Sequence, residues 1–226
     1  MPLLRASHRA RVPFSPPPRA LRPPPPPSPH PAPPPLRRPP VWPAAWAISF
    51  SEETFGPTTN TSGTWYYDFS AGVQRIDRGS GKNDRYCGSV DPADAPCSHL
   101  VVAGERYLVW PTLKKCCGCC NSTAGCGIVK PTWMVDANGT FSGTAPFTDS
   151  PYFSGVADSW QINGLQPNFW FTETGTDTPV GFAQVPDDYQ WFNPASYVVG
   201  PQDPSLFTIP SFCTPTCPGI NICTLI

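Results

Sequence analysis

Four cysteines stand within five residues in "CCGCC", at Cys116, Cys117, Cys119 and Cys120, and Cys126 follows shortly after. Thiols so placed could ligate zinc, run dithiol redox chemistry or form disulfides. Structural zinc takes C-x₂₋₄-C pairs that present two thiolates to one ion, and Cys116 or Cys117 with Cys120 has that spacing. C-x-x-C dithiols occur as Cys116 with Cys119 and Cys117 with Cys120, but nothing around them reads as the βαβ setting of a thioredoxin-like site. Disulfides are the better reading. A bridge needs Cα atoms roughly 4.4 to 6.8 Å apart with converging Cβ vectors, so four such close thiols cannot all pair among themselves. If each pairs outward, they use four of Cys87, Cys97, Cys126, Cys213, Cys217 and Cys223 and leave one final pair. Cys217 and Cys223, flanking "PGINI", are the expected leftover couple, with Cys213 tying the tail to the knuckle or to Cys97.

Other catalytic chemistry is thinly represented. An enzyme needs a nucleophile, a base and an orienting group within reach, and His99 in "CSHLVV" is the single histidine beyond residue 50. Beside Cys97 it could make a Cys-His pair, but next to a bridged cysteine it reads as a structural ring. Paired carboxylates perform glycosidase chemistry when about 5 to 9.5 Å apart; Asp158 with Glu173, on neighbouring strands, is the candidate pair. No G-x-S-x-G, P-loop, H-E-x-x-H or dinucleotide fingerprint occurs. The expectation is therefore a protein that is not an enzyme, with a carboxylate-dependent hydrolase as one alternative and a structural or adhesive disulfide-rich module as another. Asp84, Asp91 and Asp94 in one stretch, and Asp187 and Asp188 in another, are oxygen sets that suit Ca²⁺ but lack EF-hand spacing.

The elements that must position these groups follow a sharp change in composition. Residues 1–50 hold 18 of the 34 prolines and seven arginines, with no acidic residue. Proline fixes φ and lacks the N–H, so this arm favours extended, solvated polyproline II; its basic P-x-x-P stretches also fit an SH3-type groove. Residues 1–45 are read as a disordered Pro/Arg-rich segment and 46–226 as one domain. From residue 51 onward 16 acidic residues face eight basic ones, a balance that repels phosphate and argues against nucleic acid. No run approaches the roughly 18 apolar residues that span a bilayer. Even cysteine usage and the sequons at Asn60, Asn121 and Asn138 agree with oxidative secretory folding, either secreted or in a lysosomal lumen. "VWPAAWA", ending in Ala45-Trp46-Ala47 after Arg37-Arg38, reads as the remnant of a signal sequence.

Within the domain the alternation is that of strands. "TWYYDFS" places Trp65, Tyr67 and Phe69 on one face, and "GVQRIDRG" returns as the second arm of a hairpin. "SHLVVAGERYLVWP" holds two strands around Ala103-Gly104. "PTWMVDANGTFSG" predicts a hairpin about Asn138-Gly139, a favoured type I′ pair. "GVADSWQI" and "NFWFTET" pair, with Trp170 facing away from Phe169 and Phe171, and "PVGFAQ" and "YQWFNPASYVVG" complete the series. Helix is confined to a turn or so at Asp187–Phe192. Eight or more antiparallel strands with inward aromatics predict a sandwich, a barrel or a curved half-barrel.

From about Trp65 to Cys213 the chain resembles the ependymin-related proteins. "WYYDFSAGVQRID" resembles the family's early strand pair, Cys97 through Trp110 its central strands, and "FSGVADSWQ" the strand carrying Gly155 and Trp160. The tail "FNPASYVVGPQDPSLFTIPSFC" resembles the family's aromatic-Asn strand, Asp-Pro-Ser-x-Phe segment (Asp203–Phe207) and Pro-x-Phe-Cys close (Pro210–Cys213). The "CCGCC" knuckle departs from the animal pattern and is more like a cysteine-rich branch in protists and algae. The resemblance implies a mainly β fold in which two curved antiparallel sheets form a half-barrel similar to bacterial lipoprotein carriers (LolA-like), holding a lipid or fatty acid in a hydrophobic pocket. It also implies glycans, calcium binding and a homodimer. A half-barrel leaves one face uncovered, and pockets there are mostly apolar. Trp65, Tyr107, Val109, Trp133, Trp160, Phe169, Phe171 and Trp191 are the candidate lining.

Overall fold

The computed structural model describes residues 37–54, 59–164, 166–219 and 222–224. The basic P-x-x-P stretches, and residues 1–36 of the segment read as disordered, lie outside them. The strands are β1 (Ala45–Thr54), β2 (Thr59–Asp68), β3 (Val73–Arg78), β4 (Cys97–Val102), β5 (Glu105–Trp110), β6 (Lys115–Asn121), β7 (Thr140–Phe147), β8 (Gly155–Asn163), β9 (Pro167–Glu173), β10 (Pro179–Gln184), β11 (Asp188–Phe192) and β12 (Val198–Val199). All pair antiparallel in one curved, unclosed sheet of order β6-β5-β4-β3-β2-β1-β11-β10-β9-β8-β7, with β12 beside the start of β1. The two halves, β1–β6 and β7–β11, are continuous through the β1–β11 pairing, Phe50 lying opposite Phe192.

β1 shows why the sheet forms there. Side chains alternate across a strand, and Trp46, Ile48 and Phe50 fall on one side, each 1% exposed or less. The last three residues of the segment expected as a signal remnant, Ala45-Trp46-Ala47, open this central strand, which pairs with β2 along ten residue pairs and with β11 along five. Trp42, upstream of it, is buried and packs within 5.6 Å of the rings of Trp46, Trp65, Tyr67, Trp133 and Trp170. We call the side carrying Trp46, Ile48 and Phe50 the inner face and the other the outer face. On the outer face the tail covers β4 and β5, with Phe207 against Leu100 and Val109. Arg75 fastens it by donating to the Leu206 carbonyl (2.8 Å).

The β2–β3 hairpin forms as expected, although β2 ends at Asp68 and Phe69 turns outward, 38% exposed. The β4–β5 turn has positive φ at both Ala103 and Gly104, the geometry of a type I′ hairpin. The Asn138-Gly139 hairpin does not form. Trp133–Asp136 is a short helical turn, α2; Asn138 takes φ 53° at its end, and the Gly139 N–H reaches the Met134 carbonyl at 2.7 Å. The left-handed preference of Asn serves a helix C-terminus here rather than a strand turn. Asp188–Phe192 is strand rather than a helical turn, and a second short helix, α1 (Arg85–Val90), is capped by Asp84.

The knuckle is itself an edge strand, β6. Along it the tail lies extended: the Thr214 N–H bonds the Cys116 carbonyl, the Gly118 N–H the Thr214 carbonyl, and the Cys217 N–H the Gly118 carbonyl, at 2.9 to 3.0 Å. Successive tail cysteines therefore meet successive strand cysteines, in Cys116–Cys213, Cys117–Cys217 and Cys119–Cys223, while Cys120 closes back on Cys126. The expected Cys217–Cys223 couple is not made. The pair left over is Cys87–Cys97, joining α1 to the start of β4. All ten cysteines are bridged, so neither zinc thiolates nor a free dithiol are on offer. The tail also covers one of the two edges an open sheet must manage.

Candidate functional site

Past Phe50 the alternation of β1 brings Glu52 to the inner face, and the neighbouring strands do the same with Gln74 and Arg78 (β3), His99 (β4), Arg106 (β5) and Asp188 and Gln190 (β11). These polar residues line one cleft of about 640 Å³, together with Trp65, Ile76, Val129 and Phe182 and with Asp84 and Tyr86 from the α1 region. The strands that contribute run from β5 to β10, seven neighbours in the sheet. Seven flat strands spaced about 4.8 Å apart would spread over roughly 29 Å. Sharing one cleft requires the sheet to curl around it.

Arg78 organises the floor. Its Nε donates to Glu52 Oε2 at 2.5 Å and its Nη2 to Glu52 Oε1 at 3.0 Å, a two-pronged pair, and Nε lies 3.3 Å from Asp84 Oδ2. Gln190 Nε2 donates to the same Glu52 Oε1 at 2.7 Å. His99 Nε2 is 2.8 Å from Asp84 Oδ1, which also accepts the backbone N–H groups of Tyr86 and Cys87. Glu52, Arg78, Asp84 and His99 are all buried. Burial disfavours the Arg78 cation, but Glu52 and Asp84 outweigh it and hold the guanidinium above its ordinary range. Burial likewise pushes the Asp84 carboxyl up, and His99, Arg78 and the Cys87 N–H overcome it, leaving it well below the usual carboxylate range. His99 is lowered, first by burial, against the pull of Asp84. The neutral ring, donating from Nε2, is the form this setting favours.

Asp188 behaves differently. Burial first, then the Glu52 charge, raise its pKa to about 7, against the opposing pull of Arg78 and Arg85. Its Oδ1 is buried without a hydrogen-bond partner, as are Gln74 Oε1, Gln190 Oε1, Arg78 Nη1, Arg106 Nε and Trp65 Nε1. Arg106 is lowered by burial and its guanidinium sits 5.1 Å from the Tyr86 ring centre.

Of the residues expected to line a pocket, Trp65 does so. Trp160 packs in the inner core, and Trp133, on α2 rather than a strand, caps that core. Tyr107 and Val109 lie on the outer face beneath the tail. Phe169, Phe171 and Trp191 are on the outer face too, where Phe147 touches Phe171 and Trp191 with ring centres 5.1 and 5.5 Å apart. Asp158 and Glu173 do not form a carboxylate pair. Their strand partners are Thr172 and Ala157, so they project to opposite faces, and Asp158 is taken up by Arg37, Thr144 and Thr174. The Cys97–His99 pair fails because Cys97 is bridged. Of the aspartates grouped for calcium, Asp91 binds Lys115 (2.7 Å), Asp94 binds Lys82 (2.6 Å) and Asp84 joins the cleft floor. Asp84, Cys87 and His99 bring ligand-type atoms within 4.8 Å of one another, but the Cys87 sulfur is spent on Cys97. Asn60, Asn121 and Asn138 are all exposed.

Sequence reasoning missed Glu52, Gln74, Arg78, Arg106 and Gln190, and singled out Asp188 only as half of a loop pair with Asp187, both of which line the cleft. Their signal was there, as polar residues in the inward phase of otherwise apolar strands.

No family model and no curated protein matches the chain. Among solved structures, an uncharacterized conserved protein from Thermus thermophilus aligns over 74% of this chain and 86% of its own, at 7% identity and a TM-score of 0.47. PNGF-II aligns over 76% of this chain and 30% of its own, at 9% identity and a TM-score of 0.32. Likenesses this distant carry no functional argument.

Proposed function

We propose that the protein is a non-enzymatic binding protein, exported to an oxidising compartment, that holds a small amphipathic molecule in the inner-face cleft of its half-barrel. The observation that carries this reading is the set of six buried polar atoms left without partners around one cleft of about 640 Å³. A buried orphan costs about 1 to 3 kcal/mol, and that volume falls in the usual range for small-molecule sites. A guest that satisfies the orphans recovers their cost on binding. The resemblance to ependymin-related proteins and the curved open sheet favour the same kind of protein, and five disulfides suit an oxidising compartment.

The guest we propose is more polar than the lipid or fatty acid first expected. The aromatic half of the inner face is already filled by the chain's own Trp42, Trp133 and Met134, while the remaining space has polar walls beside Trp65, Ile76, Val129 and Phe182. A fatty chain suits the second set and leaves the first unpaired. The wiring of the carboxylates favours binding over hydrolysis. Glu52 and Asp84, the buried carboxylates of the floor, are both committed to Arg78; the other two on the cleft, Asp188 and the exposed Asp187, are sequence neighbours on one edge of it, whereas glycosidase chemistry needs two carboxylates flanking the substrate.

Native mass spectrometry of protein purified from secreting eukaryotic cells, followed by extraction, tests the reading. A bound small molecule of defined mass is expected. Protein that emerges empty and has no affinity for fatty acids, phospholipids or alkyl glycosides overturns it.

A further inference from the structure

Resting on that binding reading, we infer that the head group the cleft accepts is an uncharged polyol of the sugar type rather than a carboxylate, phosphate or ammonium. The orphan atoms are three donors, Arg78 Nη1, Arg106 Nε and Trp65 Nε1, two acceptors, Gln74 Oε1 and Gln190 Oε1, and Asp188 Oδ1, which accepts when ionised and can donate when protonated. They stand on β2, β3 and β5 on one side of β1 and on β11 on the other, so they face a guest from both walls. A carboxylate or phosphate only accepts, and would leave the two amide oxygens bare. An ammonium only donates, and would leave the three donors bare. A hydroxyl does both, and several hydroxyls on one rigid ring match a mixed set.

Charge points the same way. Two buried carboxylates, Glu52 and Asp84, stand against two guanidiniums, Arg78 and Arg106, and the floor is ion-paired within itself. An added ion of either sign would meet like charge beside buried groups, where an uncompensated charge is costly. The remaining charged groups facing the cleft are Asp188, Arg85, Asp187 and Lys82, the last already held by Asp94. Four of the six orphan atoms belong to side chains at least 93% buried: Trp65, Gln74, Arg78 and Gln190. They cannot turn to solvent for relief. The rings of Trp65, Tyr86 and Phe182 border the same space, and flat apolar faces beside planar polar groups suit a ring with hydroxyls at its edge and C–H groups on its face.

The test titrates the full-length protein with n-octyl β-D-glucoside and n-octyl β-D-maltoside below their micelle concentrations, against octanoate, octyl phosphate and octylamine, with tryptophan fluorescence and calorimetry as readouts. At least one glycoside is expected to bind ten times more tightly than any charged octyl compound. Gln74→Met, which keeps the side chain's length and removes its free oxygen, is expected to cut glycoside affinity about tenfold and leave octanoate unchanged; Gln190→Met repeats the measurement from the opposite wall. Charged compounds binding as well as the glycosides, or a glycoside preference that survives both substitutions, overturns the polyol assignment alone. No binding by any of the five overturns it together with the reading it rests on.

Discussion

Three nearly parallel bridges fasten the tail to β6, and their stabilities cannot simply add. Closing a loop of about 100 residues is worth ~4.7 kcal/mol in the chain-entropy relation, and Cys116–Cys213, Cys117–Cys217 and Cys119–Cys223 each span 97 to 104 residues. Once the outer two are closed, however, the middle bridge constrains a ring of only about five residues, worth ~2 kcal/mol by the same relation. Cys117 and Cys217 are buried, so alanine there leaves a small void that costs about 1 kcal/mol more. Cys117→Ala/Cys217→Ala should therefore lose about 3 kcal/mol. Removing all three bridges should lose roughly 9 to 10 kcal/mol, comparable with the whole stability of an ordinary domain, and leave the chain unfolded. Urea unfolding at constant slope separates these outcomes, since 3 kcal/mol moves the midpoint by about 1 to 3 M. A middle-bridge loss near 5 kcal/mol, or a triple variant that still folds cooperatively, would refute the nested-ring reasoning.

Asp188 carries a folded pKa above its unfolded value, so the folded state holds the extra proton between about pH 4 and 7. The stability from this group is complete below pH 4 and declines as pH rises to 7, by up to about 4 kcal/mol. Asp188→Asn should gain on the wild type between pH 4 and 7, and parallel urea midpoints at the two ends would contradict this. Arg78→Met strands two buried carboxylates and should cost about 3 to 5 kcal/mol; adding Glu52→Gln should restore part of it, and a double variant no more stable than the single would count against the pairing. Trp42→Ala removes a ring packed on five others and should cost about 3 to 5 kcal/mol, whereas a melting temperature within a degree of wild type would place Trp42 outside the core.

Alternation made much of the sheet readable. The β2–β3 hairpin and the β4–β5 turn follow from runs such as "WYYD" and "LVVAGERYLV", where period and turn residues agree. Asn138-Gly139 misled because a left-handed residue ends helices as readily as it joins strands, and only the Met134 carbonyl decides which. β1 was overlooked because its start, Ala45-Trp46-Ala47, looks equally like the end of a leader, although Ile48, Phe50 and Glu52 continue the phase of Trp46. The cysteine knuckle announced that its thiols pair outward but not with which partners, since that depends on the tail lying along β6. The cleft was least legible. Glu52 and Gln190 are 138 residues apart, and they meet because the β1–β11 pairing closes the two halves of the sheet and curls them, a long-range event that no local pattern records.

The central claim, that the polar cleft and not the filled aromatic half holds the guest, is met most directly by native mass spectrometry of two variants expressed in secreting cells. Ile76→Trp grows into the cleft from β3 and should strip the bound molecule from the protein, while Trp160→Phe, in the aromatic half, should leave it in place. A guest retained by Ile76→Trp and lost from Trp160→Phe would contradict it.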